Sequence, residues 1–191
     1  MKLLEDRIRK DGKMLPGDIL KIDNFLNHQI DTRLMDQIGE EFCHLFKEAN
    51  PNKILTIEAS GIAIAMATAR YFDYIPVVFA KKKAAANMSQ DTYSARERSY
   101  TRNVEFIVQV AKEYLNEDDK VLILDDFLAN GEAMNALIDI CNQAKATIVG
   151  CGSVVCKTYQ PGEQRIKDLG YQVEVLARVS RIGDDGSIEF E

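Results

Sequence analysis

The segment VLILDDFLANGEAM, Val121 to Met134, constrains the fold more than any other stretch. Its apolar residues Val121 to Leu124 leave no side for solvent, the pattern of a strand buried on both faces of a parallel sheet. The run ends in two adjacent acids, Asp125 and Asp126, and a loop of small residues leads straight into a helix. A strand covered on both faces needs helices on each side, so the segment predicts an α/β architecture.

The flanking sequence fits that architecture. KILTI (53–57), VVFA (77–80), NVEFIVQV (103–110), TIVGCGSVVC (147–156) and VEVLARV (173–179) read as strands, and helical patterns at 62–72, 131–144 and 163–169 alternate with them. We expect a mostly parallel, doubly wound sheet flanked by helices, with ligands bound at the carboxyl ends of its strands. Ahead of it, Met1 to Lys10 predicts a helix ended by Asp11-Gly12, and Asp31 is placed to cap a long amphipathic helix that stops at Asn50-Pro51. Between them the chain reads as irregular apart from a short strand at Ile19 to Ile22. With no repeat or linker, residues 1–191 are expected to form one domain, residues 1–50 being an N-terminal extension.

Composition narrows the function. A net charge of −6 and a pI near 5.1 argue against a nucleic-acid binder, which carries a basic footprint. Cys43, Cys141, Cys151 and Cys156 form no C-x-x-C pair, and His28 and His44 are too isolated to suggest a zinc site. The opening MKLLEDRIRK lacks a signal-peptide pattern and no apolar run approaches a membrane span. A cytoplasmic protein with reduced thiols is the expectation.

Each part of the central segment has a chemical use. The start of the helix offers unpaired N–H groups and a partial positive charge, a ready phosphate site, and Ala129 and Gly131 let an anion approach the backbone. Asp125 and Asp126 can accept hydrogen bonds from sugar hydroxyls or hold a magnesium ion through water. Read alone, the loop is also an ordinary strand–turn–helix. Glu58-Ala59-Ser60-Gly61, between KILTI and the next helix, is a second possible anion site and, by itself, also only a capped turn. From Lys81 to Arg102, six cations (Lys81, Lys82, Lys83, Arg96, Arg98 and Arg102) face two acids, Asp91 and Glu97. We expect a mobile loop there, either a solvated surface or a lid whose cations neutralise a diphosphate leaving group.

The whole string resembles the motif that binds 5-phosphoribosyl-1-diphosphate (PRPP) in the type I phosphoribosyltransferase family. That resemblance implies that Asp125 and Asp126 bind the ribose, that Ala129, Asn130, Gly131, Glu132 and Ala133 wrap its 5-phosphate, and that Glu58, Ala59, Ser60 and Gly61 hold the pyrophosphate with Mg²⁺. Asn130 stands where many members have threonine, and its amide still donates to phosphate. Arg98-Ser99-Tyr100 is similar to the Ser-Tyr of the family's flexible catalytic loop, with Lys81 and Arg96 as further cations. The type I phosphoribosyltransferase fold and a homodimer are also implied.

Lys157 follows the strand 147–156 and is a pure donor, suited to a carbonyl at purine position 6 and not to adenine's amino group; on position alone it also caps a strand at the surface. Across nearly its whole length the chain resembles the bacterial xanthine phosphoribosyltransferases, in which the N-terminal extension forms a hood over the base. The positions matching their xanthine contacts are Leu20, Asn27 and Lys157. Phe127 can stack on the purine, and core packing accounts for it equally well. The implied reaction is phosphoribosyl transfer from PRPP to xanthine in purine salvage. Adenine or guanine/hypoxanthine transfer, and a PRPP-sensing purine regulator on the same fold, are the competing readings. The regulators carry a further DNA-binding module, for which residues 1–50 are too short and too acidic.

Overall fold

The computed structural model describes residues 1–16, 19–82, 91–99, 104–183 and 186–191, without the side chains of 97–99 and 104–105. In chain order the elements are α1 (Lys2–Asp11), β1 (Lys13–Leu15), β2 (Ile19–Lys21), α2 (Thr32–Phe46), β3 (Lys53–Ile57), α3 (Ser60–Tyr71) and β4 (Val77–Ala80). They continue with β5 (Thr92–Ser99), β6 (Val104–Ala111), β7 (Lys120–Leu128), α4 (Glu132–Ala144), β8 (Thr147–Lys157), α5 (Gly162–Asp168), β9 (Val173–Ile182) and β10 (Ile188–Phe190).

The central sheet has the order β10-β9-β8-β7-β3-β4, parallel throughout except for the antiparallel edge pair β9–β10. Alternation along the strands divides the core in two. Ile54, Leu122 and Leu124 pack with α1, α2 and α3, whereas Leu55, Ile57, Val121 and Ile123 pack with α4, α5 and the β5–β6 hairpin. The expected doubly wound arrangement is therefore present. Glycine makes one of these layers possible: a Cβ on Gly39 of α2 would lie 2.6 Å from the Ala67 carbonyl, so α2 and α3 touch backbone to backbone.

The N-terminal region is built into the same core. Leu4, Ile8, Leu20, Ile22, Phe25 and Leu26 are buried in the cluster that contains the sheet residues, and the Met1 amino group donates to the Leu176 carbonyl of β9. Asp31 caps α2 as expected, its Oδ1 accepting from the Arg33 and Leu34 amides at 3.2 Å each. Residues 13–15 and 19–27 are more regular than their sequence indicates. β1 pairs antiparallel with β2, and Asp23–Asn27 closes a wide π-type turn. Three-residue strands are too short to show a period, which is why β1 left no signal.

The expectation of a single mobile loop from Lys81 to Arg102 is corrected over Thr92–Ser99. That segment is β5, paired antiparallel with β6 along its whole length. Its polar composition conceals one buried side: Ala95 is buried while Ser94 and Arg96 are exposed, and the Gln143 side chain of α4 ties the Ser94 backbone at 2.9 and 3.3 Å. Residues 83–90 and 100–103, with Lys83, Tyr100 and Arg102, lie outside the described residues.

Candidate active site

A cavity of about 490 Å³ opens at the carboxyl ends of β3, β7 and β8, within the range of small-molecule sites. β7 delivers its acids here because the strand is gripped on both sides, by β3 over residues 121–123 and by β8 out to Leu128. Asp125 is buried, and its Oδ1 accepts from the Asp126 amide at 2.9 Å. Asp126 Oδ1 accepts from the Phe127 amide at 3.0 Å, and its Oδ2 accepts from Asn27 Nδ2 at 3.0 Å. The last bond spans 99 positions of sequence and brings the N-terminal region to the edge of the site.

The loop Ala129–Gly131 then turns into α4. Gly131 takes φ 86° as the residue preceding the helix, a left-handed conformation that a side chain disfavours. The loop is braced from outside. Gly162 N donates to the Ala129 carbonyl at 3.0 Å, and Arg165 Nη1 donates to that of Asn130 at 3.2 Å. With those carbonyls engaged on the outer side, the first-turn N–H groups of α4 remain for an anion. The brace is tight: a Cβ on Gly162 would lie 2.3 Å from the Ala129 oxygen and 2.8 Å from Gly131 N. α5, which carries Gly162, is pinned through Glu163, bonded to Arg178 Nη2 at 2.9 Å and paired with Lys167 at 2.7 Å. Burial pushes the Glu163 carboxyl up, but these two cations outweigh it and hold it below its usual value.

The loop Glu58–Gly61, between β3 and α3, contributes a further part of the wall. Glu58 and Ser60 line the cavity, and Glu58 Oε1 accepts from the Lys82 amide at 2.6 Å. The Glu58–Ala59 peptide is cis. Gly61 sits directly on the buried Thr56 hydroxyl, where a Cβ would come within 1.9 Å.

Of the residues singled out from sequence, Glu58, Ser60, Asp125, Asp126, Phe127, Ala129, Asn130, Gly131, Glu132, Ala133 and Lys157 surround this one cavity. Ala59 and Gly61 shape the loop without lining it. Leu20 is buried in the core beside the lining residue Ile19, and Asn27 stands behind Asp126. Lys81 is bonded through its backbone to Gln109, with its ammonium group 5.9 Å from the centre of the Phe79 ring, and its neighbour Lys82 lines the site instead. Arg96 is exposed on β5; the side chains of Arg98 and Ser99, and all of Tyr100, fall outside the described residues. Sequence reasoning missed Gln160, which reaches the cavity through the turn after β8. The spacing of three residues beyond Lys157, just before Pro161-Gly162, was the available signal.

Among the described residues, four acidic side chains (Glu58, Asp125, Asp126 and Glu132) and two lysines, Lys82 and Lys157, line the cavity. No cluster of three metal-ligating side chains occurs among the described residues, so a metal here would take most of its ligands from the substrate and water. The two histidines are exposed, and burial pushes the thiols of Cys141, Cys151 and Cys156 up to about 12, removing them as nucleophiles.

A mostly parallel sheet with two acids and a glycine-containing turn into a helix at one strand's end defines an α/β protein built to take an anionic ligand at its strand ends. The model of the phosphoribosyl transferase domain matches residues 22–185, and the chain belongs to that family. Its relatives are more particular. The chain is 49% identical over its full 191 residues to the whole xanthine phosphoribosyltransferase of Pediococcus pentosaceus. It is 51% identical over 185 residues, 97% of each chain, to xanthine phosphoribosyltransferase 2 of Clostridium botulinum. Among solved structures, adenine phosphoribosyltransferases from Giardia lamblia (TM-score 0.79, 19% identity, 93% of this chain and 98% of that one) and Trypanosoma brucei (TM-score 0.78, 18%, 96% and 82%) share the fold.

Proposed function

We propose that the protein transfers the 5-phosphoribosyl group of PRPP to xanthine, giving xanthosine 5-monophosphate and pyrophosphate. The observation that carries this reading is the convergence, in one cavity, of the Asp125–Asp126 pair, the Ala129–Ala133 loop and Lys157. β7 and β8 are neighbours, with Leu128 paired to Cys156, so the sugar site and the base-reading lysine lie at adjacent strand ends.

In this reading the carboxylates of Asp125 and Asp126 take the ribose 2- and 3-hydroxyls, and the N-terminus of α4 takes the 5-phosphate. Glu58 and Ser60 flank the diphosphate. The bond from C1 of the ribose to the diphosphate oxygen breaks, the bond from the purine nitrogen to C1 forms, and that nitrogen's proton is released. Both changes pass through a transition state with oxocarbenium character, as in other glycosyl transfers. Lys157 donates to the 6-oxo group and stabilises negative charge on the base. No protein nucleophile is needed; catalysis is positioning and charge stabilisation. Mg²⁺ fits the acidic lining: Asp125, Asp126 and Glu58 would hold it through water, and it would offset the diphosphate's charge. Cations of the segment 81–102 supply more.

The protein acts as a homodimer in the cytoplasm in this proposal. Support for the dimer comes from an apolar groove between α2 and α3, where Met66 is 61% and Tyr74 75% exposed, beside Ile30 and Ile75. Among the described residues no helix is long and apolar enough to cross a membrane.

Steady-state turnover with PRPP and Mg²⁺ tests the reading, with xanthine, guanine, hypoxanthine and adenine supplied separately. The expected result is highest kcat/KM for xanthine. Highest kcat/KM for adenine would overturn the base assignment, and no turnover with any base would overturn the activity.

A further inference from the structure

We propose that Gln160 is a specificity-determining residue that reads the purine N1–H, working beside Lys157. This rests on the oxopurine reading above. Gln160 lines the same cavity as Lys157 and the phosphate loop. Its backbone is fixed by a bond from Gln160 N to the Lys157 carbonyl at 2.9 Å, and two residues on by Gly162 N to Ala129 O at 3.0 Å. The turn that follows β8 therefore holds Gln160 at the cavity that Lys157 and the Ala129–Ala133 loop also line. Of the buried side-chain polar atoms that lack a hydrogen bond among the described residues, Gln160 Oε1 is the one whose residue lines the cavity. Buried polar atoms in folded proteins are nearly always paired, so this oxygen calls for a donor brought by a ligand.

The chemistry of the base says which donor. Along its edge a 6-oxopurine presents an acceptor at O6 and then a donor at N1–H. Adenine presents the reverse, a donor amino group and then the N1 lone pair. The complement of an oxopurine is a donor followed by an acceptor, which Lys157 Nζ and Gln160 Oε1 supply in that order. A phosphate, by contrast, offers only acceptors and would be repelled by this oxygen. Lys157 alone rejects the 6-amino group; Gln160 adds a second rejection one atom further along the ring.

The test uses xanthine and 1-methylxanthine, whose methyl group replaces the N1 hydrogen, with the full-length enzyme, PRPP and Mg²⁺. A site built to bond an N–H rejects the analogue that lacks it, so the wild type should prefer xanthine in kcat/KM by roughly 100-fold or more. Q160A leaves room for the methyl group and should compress that preference to about tenfold or less, with the KM for PRPP unchanged. Q160E keeps an acceptor and should retain the preference, which guards against a folding defect as the cause. An undiminished preference in Q160A, or a defect confined to the KM for PRPP, would overturn the assignment. Should the wild type turn over adenine best, it is the oxopurine reading that fails, before any variant is compared.

Discussion

In the proposed function a single ammonium group, that of Lys157, sets which purines the site accepts, because it can only donate. K157Q substitutes an amide that can turn its oxygen to an amino group. Losing a charged hydrogen bond costs enough that kcat/KM for xanthine should fall by roughly 10- to 100-fold. The KM for PRPP should stay close to that of the wild type, and steady-state kinetics with each substrate varied in turn separates the two. The opposite pattern is expected at Gly162. An alanine there drives a methyl group to 2.3 Å from the Ala129 oxygen and must displace the phosphate loop. Small displacements of a positioning loop are costly, so G162A should lose about 100-fold in kcat/KM for PRPP. Circular dichroism should show the helices and sheet intact, since α5 keeps its Glu163 anchors.

Among the elements, α2 depends on its first residues in a way that can be titrated. The Leu34 amide, then the Arg7 guanidinium, hold the Asp31 carboxyl below its usual pKa. Arg7 is also paired with Asp11 at 2.6 Å, so this one guanidinium joins the start of α2 to the end of α1. A carboxyl depressed on folding contributes stability that is complete above the unfolded pKa and is lost as pH falls through the folded one. D31A should therefore lower Tm at neutral pH, and the gap between wild type and variant should close in strong acid. Thermal melts across that range give the answer; a gap that persists unchanged at low pH would show that the cap is not the cause. β5 illustrates the other limit of element-level reasoning. Its polar sequence forms a strand because β6 satisfies its backbone and α4 covers its one buried side.

For the whole molecule, the exposed apolar groove at Met66 and Tyr74 is the feature least suited to a monomer. If the proposed dimer forms through this groove, M66E should shift sedimentation from dimer to monomer; an unchanged dimer would place the interface elsewhere, and a monomeric wild type would overturn the dimer itself. The acidic side chains among the described cavity residues have their own consequence: chelating Mg²⁺ should weaken PRPP binding in calorimetry far more than it weakens binding of a neutral base.

The sheet was legible in the sequence because its strands are short, mostly apolar runs bounded by turn residues: KILTI and VVFA match β3 and β4 residue for residue. The strand–loop–helix geometry around Ala129–Gly131 was equally legible, since strand, acids, small residues and helix are contiguous in sequence. What sequence could not show depends on contacts between distant segments. Asn27 meets Asp126 across 99 positions, and Lys82, not Lys81, faces the cavity because the backbone of Lys81 is committed to Gln109. Gln160 lines the site where the turn after β8 is held by Gln160 N on the Lys157 carbonyl and by Gly162 packed against the Ala129–Gly131 loop. Local pattern specifies a strand or an anion-binding turn; which side chains then share a cavity is decided by the register of strands and the packing of turns, which only the folded chain fixes.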